Sequence, residues 1–368
     1  MKISLKPLSE QVIVITGASS GIGLATARKA AKAGAKVLLV ARNESALKAI
    51  VEEITRDGGT ADYIVADVGE EADVKAAVDM AGVRFGGFDT WINDAGVGIY
   101  ASLADTSTEE HERLFKTNYW GVVFGSLAAV SYLRTRGGAL INVGSVASDM
   151  GSPMFGAYVA SKHAVKGFTD SLRIEMIADK APISITLIKP AGIGTPFNEH
   201  AANHLQGEAR IPPPVYAPEI VADAILHCAQ TPRRDITVGG AGRQQVMLAT
   251  HLPGVFDHLA SLIIPMLSDR KHAKTQSDNL RASSEAGRAH GALNQGRSFS
   301  VYTLAQLHPR AVLGLSLAGG LIAAGLVGAG FPLSKERRHV WGKKLARSTG
   351  RASRSKRRCG AKRSGSWG

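Results

Sequence analysis

The sequence predicts a doubly wound α/β protein with a parallel sheet of about seven strands. Short, continuous apolar runs recur along the chain, which is typical of strands buried on both faces of a sheet, and stretches of helical character separate them. Strands that alternate with helices over short connections favour right-handed crossovers and a parallel sheet. The 368 residues, 45% hydrophobic and 20% charged, suffice for a large core and exclude a fully disordered chain.

The elements follow one another in a regular order. The predicted strands span residues 12–15, 37–40, 63–65, 90–92, 139–143, 183–188 and 236–238. An Ala-rich helix ending near residue 33 is predicted after the first strand, with further helices at 44–55, 70–83, 108–132, 157–177 and 218–229. The sheet unit is therefore expected to span residues 1–267.

A glycine-rich turn joins the first strand to the first helix, with the sequence Thr16-Gly17-Ala18-Ser19-Ser20-Gly21-Ile22-Gly23. Gly17 allows the tight turn, while Gly21 and Gly23 let the backbone approach a pyrophosphate and let the helix pack on the strand. The helix N-terminus then faces the anion. The residues predicted to contact a dinucleotide are Gly17, Ser19, Ser20, Gly21, Ile22 and Gly23. The alternative is an ordinary strand–helix turn.

The end of the second strand indicates which dinucleotide binds. An acid there would accept a hydrogen bond from a free ribose hydroxyl and repel a 2′-phosphate, but the sequence has Ala41-Arg42-Asn43. The Arg42 guanidinium can bind a phosphate with two donors. This favours NADP(H) over NAD(H), with a solvated surface arginine as the alternative.

Tyr158 and Lys162 are spaced four residues apart in a predicted helix, which places both on one face. A nearby ammonium and a bound nicotinamide cation would favour the tyrosine phenolate and lower its pKa toward neutrality. Tyr158 could then exchange a proton with an alcohol or carbonyl oxygen as a hydride moves. Ser145, at the end of the fifth strand, could hydrogen-bond the same substrate oxygen. Taken singly, each residue has an ordinary structural alternative.

Together these motifs resemble the short-chain dehydrogenase/reductase family. The glycines at 17, 21 and 23 precede Tyr158-Val159-Ala160-Ser161-Lys162, and the similarity covers about residues 8–246. Its other matching positions are Asp67-Val68, Asn93-Asp94-Ala95-Gly96, Asn118, Gly144-Ser145 and Pro190-Ala191-Gly192-Ile193-Gly194-Thr195. Two departures are Asp94, where the family has a second Asn, and Ala191, between a Pro and a Gly that are often adjacent.

The resemblance implies a Rossmann fold and a set of roles. Asp67 and Val68 would flank the adenine, and Asn93, Ala95 and Gly96 would line the cofactor cleft. Ile193 and Thr195 would hold the nicotinamide carboxamide. Lys162 would also bind the nicotinamide ribose, and Asn118 would join Lys162 to solvent through a water. It also implies a homo-oligomer formed through helices 108–132 and 157–177.

The C-terminal quarter of the chain has a different composition. Residues 268–310 are polar and are predicted to be a linker, and residues 311–333 carry no charge. At about 1.5 Å per residue, the latter would form one hydrophobic helix able to cross a membrane; a buried Gly/Ala-rich helix or a disordered segment is the alternative. Residues 334–368, with 13 Lys and Arg and one acid, are predicted to be a disordered tail. The rest of the chain is nearly neutral.

The basic tail suits anionic lipid and, less well, nucleic acid, because it has few aromatic residues. The positive-inside rule places it in the cytoplasm, where NADP(H) also lies, so a single span would not satisfy both. No secretory signal is expected from residues 1–8. Two cysteines and the histidine spacing predict no disulfide scaffold and no metal site.

The leading hypothesis is a cytoplasmic, membrane-associated NADP(H)-dependent oxidoreductase acting on a small alcohol or ketone, with Asn118, Ser145, Tyr158 and Lys162 as catalytic residues. The alternative is a non-catalytic NADP(H)-binding sensor or scaffold protein attached to a membrane. A third hypothesis, nucleic-acid binding through the tail, is the least favoured.

Overall fold

A computed structural model of the protein describes residues 3–272, 278–283, 287–292 and 295–308. The hydrophobic segment predicted at 311–333 and the basic tail at 334–368 lie outside these residues. Among the described helices, none is both long enough and apolar enough to cross a membrane.

Seven parallel strands form the central sheet, which confirms the predicted fold class. The order across the sheet is β10-β7-β6-β4-β1-β2-β3. These strands are β1 (Val12–Thr16), β2 (Lys36–Ala41), β3 (Thr60–Val65), β4 (Thr90–Asn93), β6 (Gly138–Val143), β7 (Ile183–Pro190) and β10 (Asp235–Val238). Two further pairs of two-residue strands are β5 (Ile99–Tyr100) with β8 (Ala202–Asn203), and β9 (Glu208–Ala209) with β11 (Ser268–Asp269).

Helices connect the strands and cover both faces of the sheet. They are α1 (Gly21–Lys32), α2 (Glu44–Arg56), α3 (Glu71–Phe85), α4 (Thr108–Phe115), α5 (Gly121–Leu133), α6 (Gly156–Ala178), α7 (Phe197–His200), α8 (Pro218–Gln230), α9 (Gly240–His251), α10 (Pro253–Leu262) and α11 (Val301–Leu307).

The central strand β1 shows why the sheet is covered on both faces. Successive side chains of a strand point to opposite faces. Ile13 and Ile15 pack with residues of α1, α2 and α8, whereas Val14 packs with residues of α3, α5 and α6. All three side chains are fully buried. A strand with two covered faces therefore requires the continuous apolar run seen in the sequence.

The long helix predicted at 108–132 is interrupted. A π-helical turn, Lys116–Trp120, lies between α4 and α5, so for one turn the backbone hydrogen bonds join residues five apart instead of four. Such turns rotate the side chains that follow relative to those before. This one carries Asn118, which is fully buried.

The polar segment after Leu267, predicted to be a linker, contacts the sheet unit in its described stretches. Helix α11 packs on β10 and α8. Leu280 is buried among apolar side chains beside α4, and Ala289 joins the core on the α1 side. Apolar side chains within a polar composition thus fix this segment to the body of the protein.

Candidate active site

The glycine-rich turn is shaped by close backbone contacts at the carboxyl end of β1. Gly17 has φ +71°, and a Cβ there would lie 2.8 Å from Ala95 Cα. At Gly23, a Cβ would lie 2.4 Å from the Gly17 carbonyl oxygen. Both positions therefore require glycine, the first for its left-handed backbone and the second for packing of α1 on the turn.

The first turn of α1 faces a cavity of about 550 Å³. Most residues predicted to bind the cofactor or to act in catalysis line this one cavity: Gly17, Ser19, Ser20, Gly21, Ile22, Arg42, Asp67, Val68, Ala95, Gly96, Ser145, Tyr158, Lys162, Ile193 and Thr195. Unpaired N–H groups at a helix N-terminus favour an anion. The cavity thus joins a suitable phosphate site to the Tyr158 hydroxyl.

Three predicted residues do not line the cavity: Gly23, Asn93 and Asn118. The expectation that Asn93 lines the cofactor cleft is not met, since its side-chain amide donates to Ser126 Oγ (3.1 Å) and Asn142 Oδ1 (2.9 Å) beneath the cleft. Its carbonyl Oδ1 accepts from the Trp91 indole. All its polar atoms are therefore engaged within the buried core.

Arg42 lies at the end of β2 among charged neighbours. Burial lowers its pKa, while the charge of Asp67 opposes this shift and that of Arg113 adds to it. Arg113 Nη2 binds Asp67 Oδ2 at 2.5 Å. Arg42 Nη1 is buried and has no hydrogen-bond partner among the described residues. An unpaired guanidinium nitrogen at the cavity wall suits an anionic ligand.

Ser145, Tyr158 and Lys162 meet in the cavity. The Ser145 hydroxyl is hydrogen-bonded to the Tyr158 hydroxyl and accepts from the Ala147 N–H at 3.1 Å. Lys162 Nζ donates to the Val143 carbonyl at 2.8 Å and lies 5.6 Å from the centre of the Tyr158 ring. The strand β6 supplies this carbonyl at its last residue, the serine follows two residues later, and α6 supplies the other two side chains. The predicted one-face spacing on α6 therefore brings the phenol and the ammonium together.

The pKa of Tyr158 differs from the expected direction. Burial raises it, the hydrogen bond from Ser145 lowers it, and the charge of Asp94 raises it further. Desolvation of the phenolate is the largest effect, and Lys162 directs its ammonium at the Val143 carbonyl. The lowering expected from the sequence also required the positive charge of a bound nicotinamide. The neutral phenol is thus the favoured form of Tyr158 in this structure.

Asp94 is the site residue whose role sequence reasoning missed. Its carboxyl group accepts from the Gly23 N–H and faces Lys162. Burial raises the pKa of Asp94 to about 7, against the opposing charge of Lys162. Burial also lowers the pKa of Lys162 to about 8, and Asp94 counteracts that shift. The available signal was the departure from the family's asparagine at this position.

Asn118 is fully buried next to the site and does not line the cavity. Its Oδ1 accepts from Val97 N at 2.8 Å, and its Nδ2 donates to the Val97 carbonyl at 2.9 Å and to Ser161 Oγ at 3.1 Å. A Cβ on Gly96 would lie 3.6 Å from Asn118 Oδ1 and 3.9 Å from Lys162 Nζ. The π-helical turn therefore places Asn118 near Lys162, but no direct bond between them is formed.

Beyond Tyr158 the cavity has apolar walls. The Phe155 ring stacks on Tyr158 with centroids 4.3 Å apart, and Phe197 lies edge-on at 5.6 Å. Other large apolar lining residues are Met150, Ile211, Leu248, Phe256, Leu259, Ile263 and Leu267. Ile211 lies in the segment 196–216 that the sequence predicts to cover the substrate cleft, whereas the residues from Leu248 to Leu267, on α9, α10 and the loop after them, were not assigned to a site.

Comparison with known proteins identifies the family. The family model described as short chain dehydrogenase matches residues 11–206. The chain belongs to the short-chain dehydrogenase family. It is 42% identical over 331 residues to the uncharacterized oxidoreductase YxnA of Bacillus subtilis, a match that covers 88% of this chain and 92% of that protein.

Two solved members of the family are similar in structure. A short-chain dehydrogenase/reductase from Burkholderia phymatum in complex with NAD is 26% identical, with a TM-score of 0.63, and covers 68% of this chain and 96% of that one. An alcohol dehydrogenase from Thermococcus sibiricus complexed with 5-hydroxy-NADP is 26% identical, with a TM-score of 0.55, and covers 62% and 95%. The predicted family is thus confirmed, and such relatives bind nicotinamide cofactors.

Proposed function

We propose that this short-chain dehydrogenase transfers a hydride between NADP(H) and an alcohol or carbonyl substrate, with Tyr158 as the general acid/base. The observation that carries the proposal is the meeting of Ser145, Tyr158 and Lys162 in the cavity that begins at the glycine-rich turn, with Lys162 Nζ 5.6 Å from the centre of the Tyr158 ring. A phenol, an ammonium and a phosphate site along one cleft suit hydride transfer to or from a nicotinamide.

The residues present fit a dinucleotide. Ser19, Ser20, Gly21 and Ile22 line the cavity at the positive N-terminal end of α1. Arg42 Nη1 is an unpaired, buried donor on its wall. Arg42 favours NADP(H), because a guanidinium can pair with a ribose 2′-phosphate. The nicotinamide, when bound, supplies or accepts the hydride, and its oxidised form brings a positive charge to the cleft.

This chain's own residues would hold and move the proton. The Ser145 hydroxyl would orient the substrate oxygen, and the Tyr158 hydroxyl would donate its proton to a carbonyl oxygen or accept one from an alcohol. A positive charge close to Tyr158 would offset the desolvation that raises its pKa, so the phenolate becomes accessible once the cleft is filled. The Lys162 ammonium would also favour the Tyr158 phenolate and would bind the nicotinamide ribose. Asn118 would join Lys162 to solvent through a water.

The walls around Tyr158 favour an apolar substrate. Phe155 and Phe197 flank the phenol, and α10 adds Phe256 and Leu259. Because apolar walls stabilise a ligand in proportion to the apolar area it buries, we infer a lipophilic alcohol or ketone rather than a charged one.

The test is oxidation of NADPH against a panel of aldehydes and ketones, with reduction of NADP⁺ by alcohols in the reverse direction. Tyr158→Phe should lower kcat by at least about 10²-fold, since the proton donor is lost, while the Kd for NADPH changes little. Tyr132→Phe serves as the matched control, because its hydroxyl lies at the surface near Gly86. Equal turnover by Tyr158→Phe would reject the mechanism. Tight NADPH binding without turnover by the unmodified protein would favour the sensor or scaffold function.

Oligomer formation and membrane contact remain predictions. Leu127 on α5 and Ile174 and Ile177 on α6 are 50%, 68% and 70% exposed, which supports a homo-oligomer through those helices. The predicted membrane segment, 311–333, and a cytoplasmic location rest on the sequence alone. Fractionation of the full chain and of a chain ending at residue 310 tests both.

A further inference from the structure

Residues 278–283 and 287–292, here called the C-terminal wall, run along the dinucleotide cleft. Leu280 is 4% exposed in an apolar cluster with Val97, Ile99 and Leu114. Ala289 is 7% exposed in the core cluster on the α1 face. The wall is therefore anchored at two points by buried apolar side chains.

At the phosphate end, the wall pairs with the glycine-rich turn. The Gly287 N–H donates to the Ser19 carbonyl at 2.7 Å, and the Gly21 N–H donates to the Arg288 carbonyl at 3.0 Å. Both partners in the turn belong to the predicted pyrophosphate site. These backbone bonds place the wall directly against the predicted pyrophosphate site, where the Arg288 carbonyl accepts from the Gly21 N–H.

At the opposite end, carbonyl groups of the wall hold two arginines. Arg42 Nη2 donates to the Asn279 carbonyl at 2.5 Å and more weakly to that of Ala282, at 3.4 Å. Arg113 Nε donates to the Leu280 carbonyl at 2.6 Å. The wall therefore fixes the orientation of Arg42 through its backbone.

A donor and an acceptor are left unpaired between these groups. Arg42 Nη1 and the Asn279 side-chain oxygen are both buried, and neither has a hydrogen-bond partner among the described residues. Both residues line the cavity that the glycine-rich turn lines. Leaving a buried polar atom unpaired is unfavourable, so the pair is suited to a ligand that supplies the missing bonds.

We propose that the C-terminal wall is part of the dinucleotide site, with Asn279 binding the adenosine half of the cofactor beside Arg42. This inference rests on the proposed function, because it assumes that a dinucleotide occupies the cleft. A ribose hydroxyl or the adenine amino group would donate to the Asn279 oxygen, and a ribose 2′-substituent would accept from Arg42. The wall also covers the cofactor, so its attachment controls how fast the cofactor leaves.

Glu199 on α7 attaches the wall near its end. Its Oε1 accepts from Ala292 N at 2.6 Å, and its Oε2 accepts from Arg288 Nη2 at 3.0 Å. Close by, the Gly291 N–H donates to the Gly194 carbonyl at 3.0 Å. Like Arg42, Glu199 holds two residues of the wall, but Glu199 does not line the cavity, so removing it loosens the wall without altering the cavity lining.

The experiment measures ligand binding to the full chain by fluorescence titration, with NADPH, 2′,5′-ADP and reduced nicotinamide mononucleotide as probes. Asn279→Ala should raise the Kd of NADPH and of 2′,5′-ADP by about three- to tenfold, the effect of one lost hydrogen bond. The Kd of reduced nicotinamide mononucleotide, which lacks the adenosine half, should not change. A general distortion of the cleft would weaken all three ligands equally and would overturn the assignment.

The second arm measures NADPH release by stopped-flow displacement. Glu199→Ala should speed release several-fold, whereas Asp179→Ala, which removes the Arg134–Asp179 ion pair away from the cavity, should not. If the unmodified chain binds neither NADPH nor NADH, the proposed function fails and the wall fails with it. If that chain binds NADPH, and both Asn279→Ala and Glu199→Ala bind and release it as the unmodified chain does, only the wall is rejected.

Discussion

Replacing Asp94 by asparagine should stabilise the protein at alkaline pH, and the size of the gain follows from the burial of this carboxyl group. Burial raises the pKa of Asp94 from 3.8 to about 7. One pKa unit corresponds to about 1.4 kcal/mol, so ionisation costs up to about 4 kcal/mol more in the folded chain than in the unfolded one. Water in the cleft reduces this cost, and we expect a gain of about 2–4 kcal/mol. An asparagine would keep an oxygen for the Gly23 N–H.

The pH dependence has a definite sign. The pKa of Asp94 is higher in the folded chain, so its protonated form contributes full stability below about pH 4, the unfolded value, and this contribution is lost as the pH rises through about 7. Lys162 complicates the result near neutrality, because the negative charge of Asp94 raises the pKa of that buried ammonium. At pH 9 Lys162, with a pKa of about 8, is mostly neutral in both proteins, so the difference there reports Asp94 alone.

The assay is guanidinium chloride unfolding without cofactor at pH 5, 7 and 9, comparing free energies of unfolding. Asp67→Asn is the matched control with the opposite sign. Burial would raise the pKa of Asp67, but the hydrogen bonds from Arg113 and the Gly69 N–H and the positive charges nearby lower it. Asp67→Asn should therefore destabilise the protein above about pH 4. The reasoning is refuted if Asp94→Asn is no more stable than the unmodified chain at pH 9. It is also refuted if the difference in the free energy of unfolding between the two proteins is the same at pH 5 as at pH 9.

Two further predictions concern the cofactor and the packing of α5. Arg42→Ala should raise the KM for NADPH by about tenfold or more and leave the KM for NADH nearly unchanged. Steady-state kinetics measure both constants, with Arg56→Ala, which replaces an exposed arginine, as the control. An equal effect on both cofactors would reject the proposed contact between Arg42 and the 2′-phosphate. Gly125→Ala should cost about 1–3 kcal/mol in denaturant unfolding, because the new Cβ would lie 2.2 Å from Asn93 Oδ1. Gly82→Ala, which meets no atom within 4 Å on α3, should instead stabilise the protein by about 0.5–1 kcal/mol, so a loss at both positions would contradict the packing argument.

The sequence predicted the parts of the fold that depend on local pattern. The apolar run of β1 predicts a strand buried on both faces. The glycines after it predict the tight turn that joins this strand to α1. The spacing of Tyr158 and Lys162 needed only helical geometry to place both on one face. These features are encoded within a few neighbouring residues, which is why all seven strands of the sheet were predicted.

The parts that were missed depend on contacts between distant segments. The π-helical turn at Lys116–Trp120 has no periodic signal, because one wider turn does not change the apolar pattern on either side. The position of Asn279 beside Arg42 joins residues 237 apart, and nothing in the polar composition of residues 268–310 indicates it. A linker prediction rests on mean composition, whereas a single buried leucine, Leu280, is enough to fix such a segment to the protein.

The motif Asn93-Asp94 shows how one family position can change without disturbing its neighbour. Asn93 is tied to Asn142 on β6, and Asn142 donates in turn to Thr169 on α6 at 3.0 Å. Since α6 also carries Tyr158 and Lys162, this buried network sets the distance between the end of β4 and the reacting groups. Asp94, the next residue, contributes only its backbone N–H to Thr16 and directs its side chain at Gly23 and Lys162. A carboxylate there therefore alters the charge beside Lys162 while the framework that positions Tyr158 remains intact.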